Sequence, residues 1–230
     1  MPELSDYREL GKKSAACRAA EFIEPGMTVG LGSGSTVYYA VARLGELASD
    51  GLKILCISTS AATTRLAIDC GLTLAGLDEI ESIDITIDGA DEIDRDLNGI
   101  KGGGGALLFE KIVALYSKKN VWIADSSKLV DVLGNFPLPV EVVPFGSRRV
   151  FSMLKDMKLN PVMRQKGDVL YRTDSNNYVI DLHAGRIKDP AGLDREIKLI
   201  NGVVETGIFF NIADVAVIAD GDEVTILDKH

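Results

Sequence analysis

Residues 27–36 read MTVGLGSGST, and this stretch predicts a buried strand that turns directly into a helix. Residues 27–31 are a short apolar run, residues 32–36 are rich in glycine and serine, and residues 37–48 are apolar at helical spacing. The first N–H groups of a helix attract anions, and glycine lets the backbone approach an anion closely. The stretch therefore predicts either an anion-binding turn or an unliganded tight turn.

This turn differs from two well-known nucleotide-binding motifs. The GxxxxGK[ST] pattern of nucleoside triphosphate sites is absent, and glycines at 30, 32 and 34 do not form GxGxxG. The next strand ends in Ser58, Thr59 and Ser60 rather than in the acidic residue that would hold a ribose. The sequence therefore predicts no nucleotide cofactor, and no other cofactor is expected.

Strand-like and helix-like patterns alternate along the first 130 residues. The clearest strand is residues 83–88, IDITID, where isoleucines alternate with polar residues. Alternation of strands and helices predicts the α/β class, with a mostly parallel, doubly wound (Rossmann-like) sheet covered on both faces. The predicted helices are 5–23, 37–48, 61–70 and 106–117, and the predicted strands are 27–31, 52–57, 72–74, 83–88 and 121–124.

The pattern changes after the prolines at 137, 139 and 144. The following residues read as β-α-β-β-α-β, which predicts an inserted, smaller α+β domain with a ferredoxin-like plan. We therefore expect a Rossmann-like catalytic domain of residues 1–130 plus 208–230, and a small domain of residues 131–207 that serves as a lid or an oligomer contact. The six predicted elements are 140–143, 147–157, 161–164, 178–182, 190–200 and 203–207, and strands 215–219 and 224–227 return to the first sheet.

The charge balance limits the partners. The formal net charge is −9 and the pI is about 4.8, so the surface repels nucleic acid and anionic membranes, and neither is an expected partner. The N-terminal residues lack the apolar core of a signal peptide, and no apolar run is long enough for a membrane span. Three cysteines without a CxxC pair are expected to be small buried residues of a cytoplasmic protein.

Polar or glycine-rich clusters follow several of the predicted strands, and ligands of parallel sheets bind at those strand ends. The cluster at 88–94, DGADEID, begins with Asp88 and continues with Asp91. Its carboxylates could hold Mg²⁺, could handle the hydroxyl protons of a polyol, or could form a solvated acidic loop. We favour the solvated loop for Glu92 and Asp94 only.

Lys101 precedes four successive glycines, a costly sequence for an ordered backbone. A loop wrapped closely around a ligand would explain the glycines, and Lys101 would supply positive charge to a developing oxyanion. Glu110 follows on the next helix among apolar neighbours, so desolvation is expected to raise its pKa toward a value useful for proton transfer. An internal pair with Lys111 is the alternative.

Lys128 follows the predicted strand 121–124 and could contact a phosphate at the same edge of the sheet, or could be an ordinary surface lysine. The two histidines, His183 and His230, have no metal-ligand spacing, and no metal site is expected. We expect His183 to pack inside the small domain. Because every strand-end cluster precedes residue 131, the small domain is expected to contain no catalytic residue.

Taken together, five segments resemble the type A ribose-5-phosphate isomerase family. They keep the family's order and spacing over more than half of the chain. One departure is Gly105, where the family often has alanine, and we expect this difference to be harmless. The segments are PGMTVGLGSGST at 25–36, IDGADEID at 87–94, KGGGGAL at 101–107 with Glu110, IADSSKLV at 123–130 and GNFPLPVEVVPF at 134–145.

The resemblance implies a metal-independent interconversion of ribose 5-phosphate and ribulose 5-phosphate through an enediolate, in the non-oxidative pentose phosphate pathway. It implies that Glu110 is the proton-shuttling base and that Asp88, Asp91 and Lys101 surround the reacting end of the sugar. It also implies a homodimer or homotetramer. The implied substrate-binding residues are Lys12, Ser33, Gly34, Ser35, Thr36, Asp88, Gly89, Ala90, Asp91, Lys101, Gly102, Gly103, Gly104 and Lys128, of which Ser35, Thr36, Lys128 and Lys12 (or the adjacent Lys13) would contact the phosphate.

Three other protein classes resemble parts of this pattern. A sugar-responsive transcriptional regulator would place a helix-turn-helix before the glycine turn, but only about 30 residues precede it here. A coenzyme A transferase would use a glutamate nucleophile, yet no segment provides a coenzyme A site. An amino-sugar phosphate deaminase would need a histidine-bearing catalytic segment, which is absent. The sequence therefore favours the isomerase.

Overall fold

The computed structural model of the protein describes residues 4–229, which form six α-helices and fifteen strands. The helices are α1 Leu4–Ala20, α2 Ser35–Ser49, α3 Ala61–Asp69, α4 Leu107–Leu115, α5 Ser147–Asp156 and α6 Pro190–Lys198. The strands are β1 Thr28–Leu31, β2 Leu55–Ser58, β3 Ile85–Gly89, β4 Glu92–Ile93, β5 Gly99–Ile100, β6 Asn120–Asp125, β7 Leu138–Val142, β8 Pro161–Met163, β9 Gln165–Lys166, β10 Val169–Leu170, β11 Tyr178–Leu182, β12 Val203–Thr206, β13 Ile208–Phe209, β14 Val215–Asp220 and β15 Glu223–Asp228.

The chain divides into two compact units. The first unit is Met1–Ala90, Phe109–Leu129 and Asn211–His230, and the second is Asp91–Leu108 and Val130–Phe210. The chain passes from one unit to the other after Ala90 and again inside α4.

The first unit contains a six-stranded sheet in the order β15-β14-β6-β3-β1-β2. All neighbours are parallel except β14 and β15, which form an antiparallel pair at one edge. Val29 and Leu31 pack in a core with residues of α1 and α2, whereas a Cβ at Gly30 would lie 2.8 Å from Val113 of α4. Because Gly30 faces the opposite side from its neighbours, helices cover both faces, which confirms the predicted α/β class and its mostly parallel sheet.

The second unit is built on a four-stranded sheet in the order β12-β7-β11-β8, and every pair in it is antiparallel. With α5 and α6 the chain order is β7-α5-β8-β11-α6-β12, the β-α-β-β-α-β plan that the sequence predicts. One face of the sheet packs in an apolar core that includes Val140 and Ile180 of the strands with Leu154 and Ile197 of the helices.

The compact units differ from the predicted domains mainly at residues 91–108, which group with the second unit. This segment forms a small sheet of its own, because β5 pairs with β4 and with β13. The Val130 N–H also donates to the Ile93 carbonyl over 2.8 Å. Strands of two residues leave no periodicity in the sequence, so this grouping could not be read from it.

No helix among residues 4–229 is long and apolar enough to cross a membrane.

Candidate active site

The glycine turn, residues 32–36, packs directly against Asp88 in the first unit. A Cβ at residue 32 would lie only 1.9 Å from Asp88 Oδ1, so the turn requires glycine at this point. Asp88 is 2 % exposed, and its Oδ1 accepts hydrogen bonds from the N–H groups of Ser33 (3.2 Å) and Gly89 (2.7 Å). The end of β3 and the start of the turn are therefore held together by one buried carboxylate.

The hydroxyl of Ser33 belongs to a cluster that the sequence reasoning did not identify. Ser33 Oγ lies 2.9 Å from the Thr59 hydroxyl, 2.7 Å from that of Ser60 and 3.2 Å from that of Thr63. Thr63 donates to the Gly32 carbonyl over 2.8 Å. The cluster fixes the shape of the glycine turn, and its signal in the sequence was the run of hydroxyl residues that follows β2.

The rest of the glycine turn opens α2. Gly34 is the N-cap residue, with a φ of 114° that favours glycine, and it has no side chain with which to cap the helix. Ser35 is exposed and Thr36 is half-buried. N–H groups of the first helical turn and two hydroxyl groups therefore lie where an anion can reach them.

Two of the predicted phosphate ligands lie at the same edge of the first unit's sheet. Lys128 ends a short 3-10 turn whose N-cap, Asp125, accepts the Ser127 N–H at 3.1 Å. A Cβ at Gly11 of α1 would lie 3.4 Å from Asp125 Cβ, which brings the neighbouring Lys12 to this region. Lys12 is half-buried and pairs with Glu9 at 2.5 Å, whereas Lys13 is exposed.

Glu110 is buried in α4. It is 4 % exposed, as is the adjacent Lys111, and the part of α4 that carries them belongs to the first unit. The predicted burial of Glu110 among apolar neighbours is therefore observed. Gly89 and Ala90, which are also predicted at the site, are half-buried. In the sequence they follow Asp88 and are the last residues of the first unit before the chain enters the second.

The second unit holds Asp91, Lys101 and the glycine loop, residues 102–105. Asp91 Oδ2 accepts the Gly103 N–H at 2.7 Å, so the acidic segment and the glycine loop are joined by a direct bond. Lys101 is 2 % exposed, and its ammonium lies 5.1 Å from the centre of the Phe209 ring. Gly102 is buried, whereas Gly103 and Gly104 are exposed.

Two side chains of the second unit contact the glycine loop and were missed in the sequence. Arg164 Nη1 donates to the carbonyl oxygens of Gly102 (2.9 Å) and Gly103 (3.1 Å), and the Tyr171 hydroxyl donates to that of Gly104 (3.0 Å). No motif marks either residue, because they approach the loop only through the fold.

The conformation of residue 105 suits glycine and would not suit alanine. Gly105 has a φ of +83°, and a Cβ there would lie 2.3 Å from the Tyr171 hydroxyl oxygen. The methyl group therefore conflicts both with the backbone conformation and with Tyr171.

The expected solvated loop is wrong for Glu92, which is buried, whereas Asp94 is half-buried in a turn. Glu92 is 4 % exposed, and its carboxylate accepts the N–H groups of Gly134 (2.6 Å) and Phe136 (2.7 Å). Asp94 Oδ1 accepts the N–H groups of Asp96 (3.0 Å) and Asn98 (2.8 Å), which shapes the turn between β4 and β5.

The remaining features that the sequence raised are metal ligands, the two histidines and the three cysteines. Among residues 4–229, no three His, Cys, Asp or Glu side chains are grouped as metal ligands. His183 directly follows the last residue of β11 and is exposed rather than packed. His230 lies outside the described residues. Cys17, Cys56 and Cys70 are free thiols, of which only Cys56 is fully buried.

Comparisons with known proteins decide the family. A sequence model of the family described as Ribose 5-phosphate isomerase A (phosphoriboisomerase A) matches residues 55–223. The chain is 46% identical over 218 residues to a ribose-5-phosphate isomerase A of Streptococcus pyogenes serotype M5 (strain Manfredo), covering 94% of this chain and 96% of that protein. The chain belongs to the ribose 5-phosphate isomerase A family.

Other members of the isomerase A family agree. The Limosilactobacillus reuteri (strain DSM 20016) protein is 52% identical over 202 residues, covering 87% of this chain and 89% of that protein. Among solved structures, a D-ribose-5-phosphate isomerase in complex with phospho-erythronic acid has a TM-score of 0.91 at 37% identity, covering 94% of this chain and 97% of that chain. The Plasmodium falciparum enzyme also has a TM-score of 0.91, at 39% identity, covering 95% and 97% of the two chains.

Proposed function

We propose that the protein interconverts D-ribose 5-phosphate and D-ribulose 5-phosphate. Membership of the ribose 5-phosphate isomerase A family over nearly the whole chain carries the proposal. The phospho-erythronic acid bound by one relative is a four-carbon polyol phosphate that ends in a carboxylate. A carboxylate has the planar, two-oxygen shape of an enediolate, the intermediate of an aldose–ketose isomerisation.

We assign the proton transfer to Glu110. Its carboxylate would remove the proton on C2 of the open-chain aldose. The electrons of that C–H bond would form the C1–C2 double bond of the enediolate while the π electrons of the C1 carbonyl move to O1. After its proton exchanges with solvent, the same carboxyl would protonate C1 while O2 loses its proton and becomes the carbonyl of the ketose. Burial of Glu110 supports the role, because a desolvated carboxylate is a stronger base than a hydrated one.

Lys101, Asp88 and Asp91 would serve the oxygen atoms of the sugar. The buried ammonium of Lys101 would stabilise the negative charge of the enediolate. The two aspartates would accept and return hydroxyl protons during ring opening and during transfer between O1 and O2. The glycine loop and residues 89–90 would contact the sugar through their backbone, which is why small residues occur there.

The glycine turn, Lys128 and Lys12 would bind the phosphate. The first turn of α2, which follows an N-cap glycine without a side chain, and the exposed Ser35 support this assignment. Lys12 now pairs with Glu9, so phosphate would have to compete with that carboxylate for the ammonium. Lys13, which is exposed, is the less suitable of the two lysines.

We also propose that the enzyme acts in the cytoplasm, in the pentose phosphate pathway, as a homodimer or homotetramer. The free thiols support a reducing compartment. Large apolar side chains on the surface of the second unit, such as Phe145 at 95% exposure, would be covered in a subunit contact. Light scattering after size-exclusion chromatography tests the subunit number, and a monomer at assay concentration would contradict the assembly.

The function is tested with EDTA-treated protein and ribose 5-phosphate as the only substrate. We expect ketose to form at the untreated rate, and free ribose to react far more slowly because it lacks the phosphate. No ketose from ribose 5-phosphate under any condition would refute the function. Activity that disappears with EDTA and returns with Mg²⁺ would instead reassign Asp88 and Asp91 as metal ligands.

A further inference from the structure

The carbonyl oxygens of three successive glycines, Gly102 to Gly104, all accept hydrogen bonds from side chains of the second unit. Arg164 holds the first two and Tyr171 holds the third. The guanidinium of Arg164 is itself fixed by Asp181, through Nε to Oδ2 at 2.9 Å and through Nη2 to Oδ1. Both side chains of this pair are largely buried, at 13% and 19% exposure. The planar guanidinium of Arg164 therefore joins β11 of the four-stranded sheet, which carries Asp181, to the glycine loop.

These bonds determine which way the peptide groups of the loop face. In a trans peptide the C=O and the following N–H point in opposite directions. With the Gly102 carbonyl directed at Arg164, the Gly103 N–H must point away, and there Asp91 Oδ2 accepts it at 2.7 Å. The Gly103 carbonyl also faces Arg164, so the Gly104 N–H is turned away in the same manner. Arg164 thus turns two N–H groups of the loop away from itself, and Asp91 accepts the first of them.

The glycines cannot hold this arrangement by themselves. They have no side chains, and Gly102 and Gly105 have φ values of 103° and 83°. Glycine adopts positive and negative φ about equally readily, so its own backbone preference does not fix this conformation. Within the loop, the Gly105 N–H donates to the Gly102 carbonyl over 2.9 Å. The carbonyls of Gly103 and Gly104 are held from outside the loop, so its order depends on Arg164 and Tyr171.

We propose that Arg164, oriented by Asp181, is a positioning residue for the isomerisation. It holds the glycine loop so that the loop's N–H groups and the preceding Lys101 meet the sugar oxygens in one fixed geometry. The inference rests on the proposed function, because it concerns the same site. It adds to that function a residue of the small unit that contacts no reacting atom.

The experiment compares Arg164→Met and Arg164→Lys with wild type and with Arg172→Met. Arg172 is the matched control, because it also donates to a backbone carbonyl (Asn176, 2.8 Å) and lies over a tyrosine ring (Tyr178, 4.6 Å). None of its hydrogen bonds among the described residues reaches the glycine loop. Lysine keeps the charge of Arg164 but lacks the planar fork that contacts Asp181 and two carbonyls together.

Both Arg164 variants should lose about 10²-fold in kcat, the loss typical of a small misplacement in an active site. The inhibition constant of inorganic phosphate should stay unchanged, because the phosphate ligands lie on other segments. Hydrogen exchange of the amides in residues 102–105 should accelerate in both variants, whereas Arg172→Met should match wild type in all three measurements. Asp181→Asn, which keeps the shape of the pair, should show a smaller loss of the same kind.

Wild-type kcat in the Arg164 variants, or a kcat loss without faster exchange in the loop, would overturn the proposal. A loss that merely follows the folded fraction in thermal unfolding would also overturn it, since Arg164 would then act on stability alone. If Arg164→Met does not fold, Asp181→Asn serves as the test variant, and an unchanged kcat in Asp181→Asn would overturn the proposal. An inactive wild type would instead refute the proposed function, while the exchange measurement would still report whether Arg164 orders the loop.

Discussion

The space available to a side chain at residue 105 is limited by Tyr171. At Gly105 the φ of +83° costs a residue with a Cβ about 1–2 kcal/mol, and the space for that Cβ is occupied by the Tyr171 hydroxyl. Gly104, its neighbour, has no atom within 4 Å of where a Cβ would be. The two glycines therefore tolerate a methyl group very differently, although they stand side by side in one run.

Gly105→Ala should reduce the free energy of unfolding by more than the backbone cost alone, because Tyr171 must also move. Gly104→Ala, the control, should change the free energy of unfolding far less. In the double variant Gly105→Ala/Tyr171→Ala the clash disappears, so the two effects should couple by about 0.5–3 kcal/mol in a double-mutant cycle followed by urea unfolding. Strictly additive effects would show that Tyr171 does not restrict residue 105.

Lys128 is the lysine whose role in substrate binding is most directly testable. One charge-assisted hydrogen bond to phosphate contributes about 1.5–3 kcal/mol, so Lys128→Ala should raise KM for ribose 5-phosphate about 10-fold or more. Because the phosphate is bound equally in the ground and transition states, kcat should change little. The control for steady-state kinetics is Lys53→Ala. Lys53 is an exposed lysine just before β2, at the amino end of that strand. A fall in kcat at constant KM would place Lys128 near the reacting carbons instead.

At the level of elements, β7 of the four-stranded sheet carries a buried carboxyl group, that of Glu141, whose ionisation is unfavourable. Glu141 is 1 % exposed, its Oε1 accepts from Thr173 (2.8 Å) and Asn177 (2.9 Å), and its cross-strand partner on β12 is Glu205. Burial raises the pKa of Glu141, and the charge of Glu205 adds to the rise, while the two hydrogen bonds oppose it. The folded protein therefore binds this proton more tightly than the unfolded chain does.

Because the folded pKa of Glu141 is raised, its ionisation destabilises the fold as pH rises from the unfolded pKa through the folded pKa. Glu141→Gln cannot ionise and keeps an oxygen for Thr173 and Asn177. The Tm of the variant relative to wild type should therefore increase between pH 4 and pH 8, measured by thermal unfolding. Glu196→Gln, on an exposed position of α6, should show no such trend. A Tm difference that is constant or falls with pH would contradict the account.

Long elements were predictable, and short ones were not. The β-α-β-β-α-β order of the second unit follows from alternating runs of four or more residues, and β3 was evident in IDITID. The strands β4, β5 and β13 have two residues each, too few for a period to appear. Arg164 and Tyr171 could not be linked to residues 102–104 because those contacts join segments about 60 residues apart.

At the scale of the whole molecule, the residues proposed for substrate binding and catalysis are distributed over the two units. Lys12, Asp88, Glu110 and Lys128 belong to the first unit, and Asp91, Lys101 and the glycine loop belong to the second. The sequence pointed to Asp88, Lys101 and Lys128 through polar clusters at predicted strand ends, and to Glu110 through its apolar neighbours on a helix. Lys12 followed from the family resemblance alone. The sequence could not assign residues 91–108 to the second unit, since that depends on pairing with β13 more than 100 residues later.

The most direct test of the account follows deuterium during the isomerisation of ribose 5-phosphate in D₂O. Wild-type protein should place solvent deuterium on C1 of the ribulose 5-phosphate formed, seen by NMR. Glu110→Gln should lose kcat by about 10²–10⁴-fold, the usual effect of removing a general base, with KM little changed. Glu46→Gln, on the exposed side of α2, should behave as wild type. A folded Glu110→Gln protein that keeps most of its kcat and still incorporates deuterium would contradict the assignment and shift the base to Asp88.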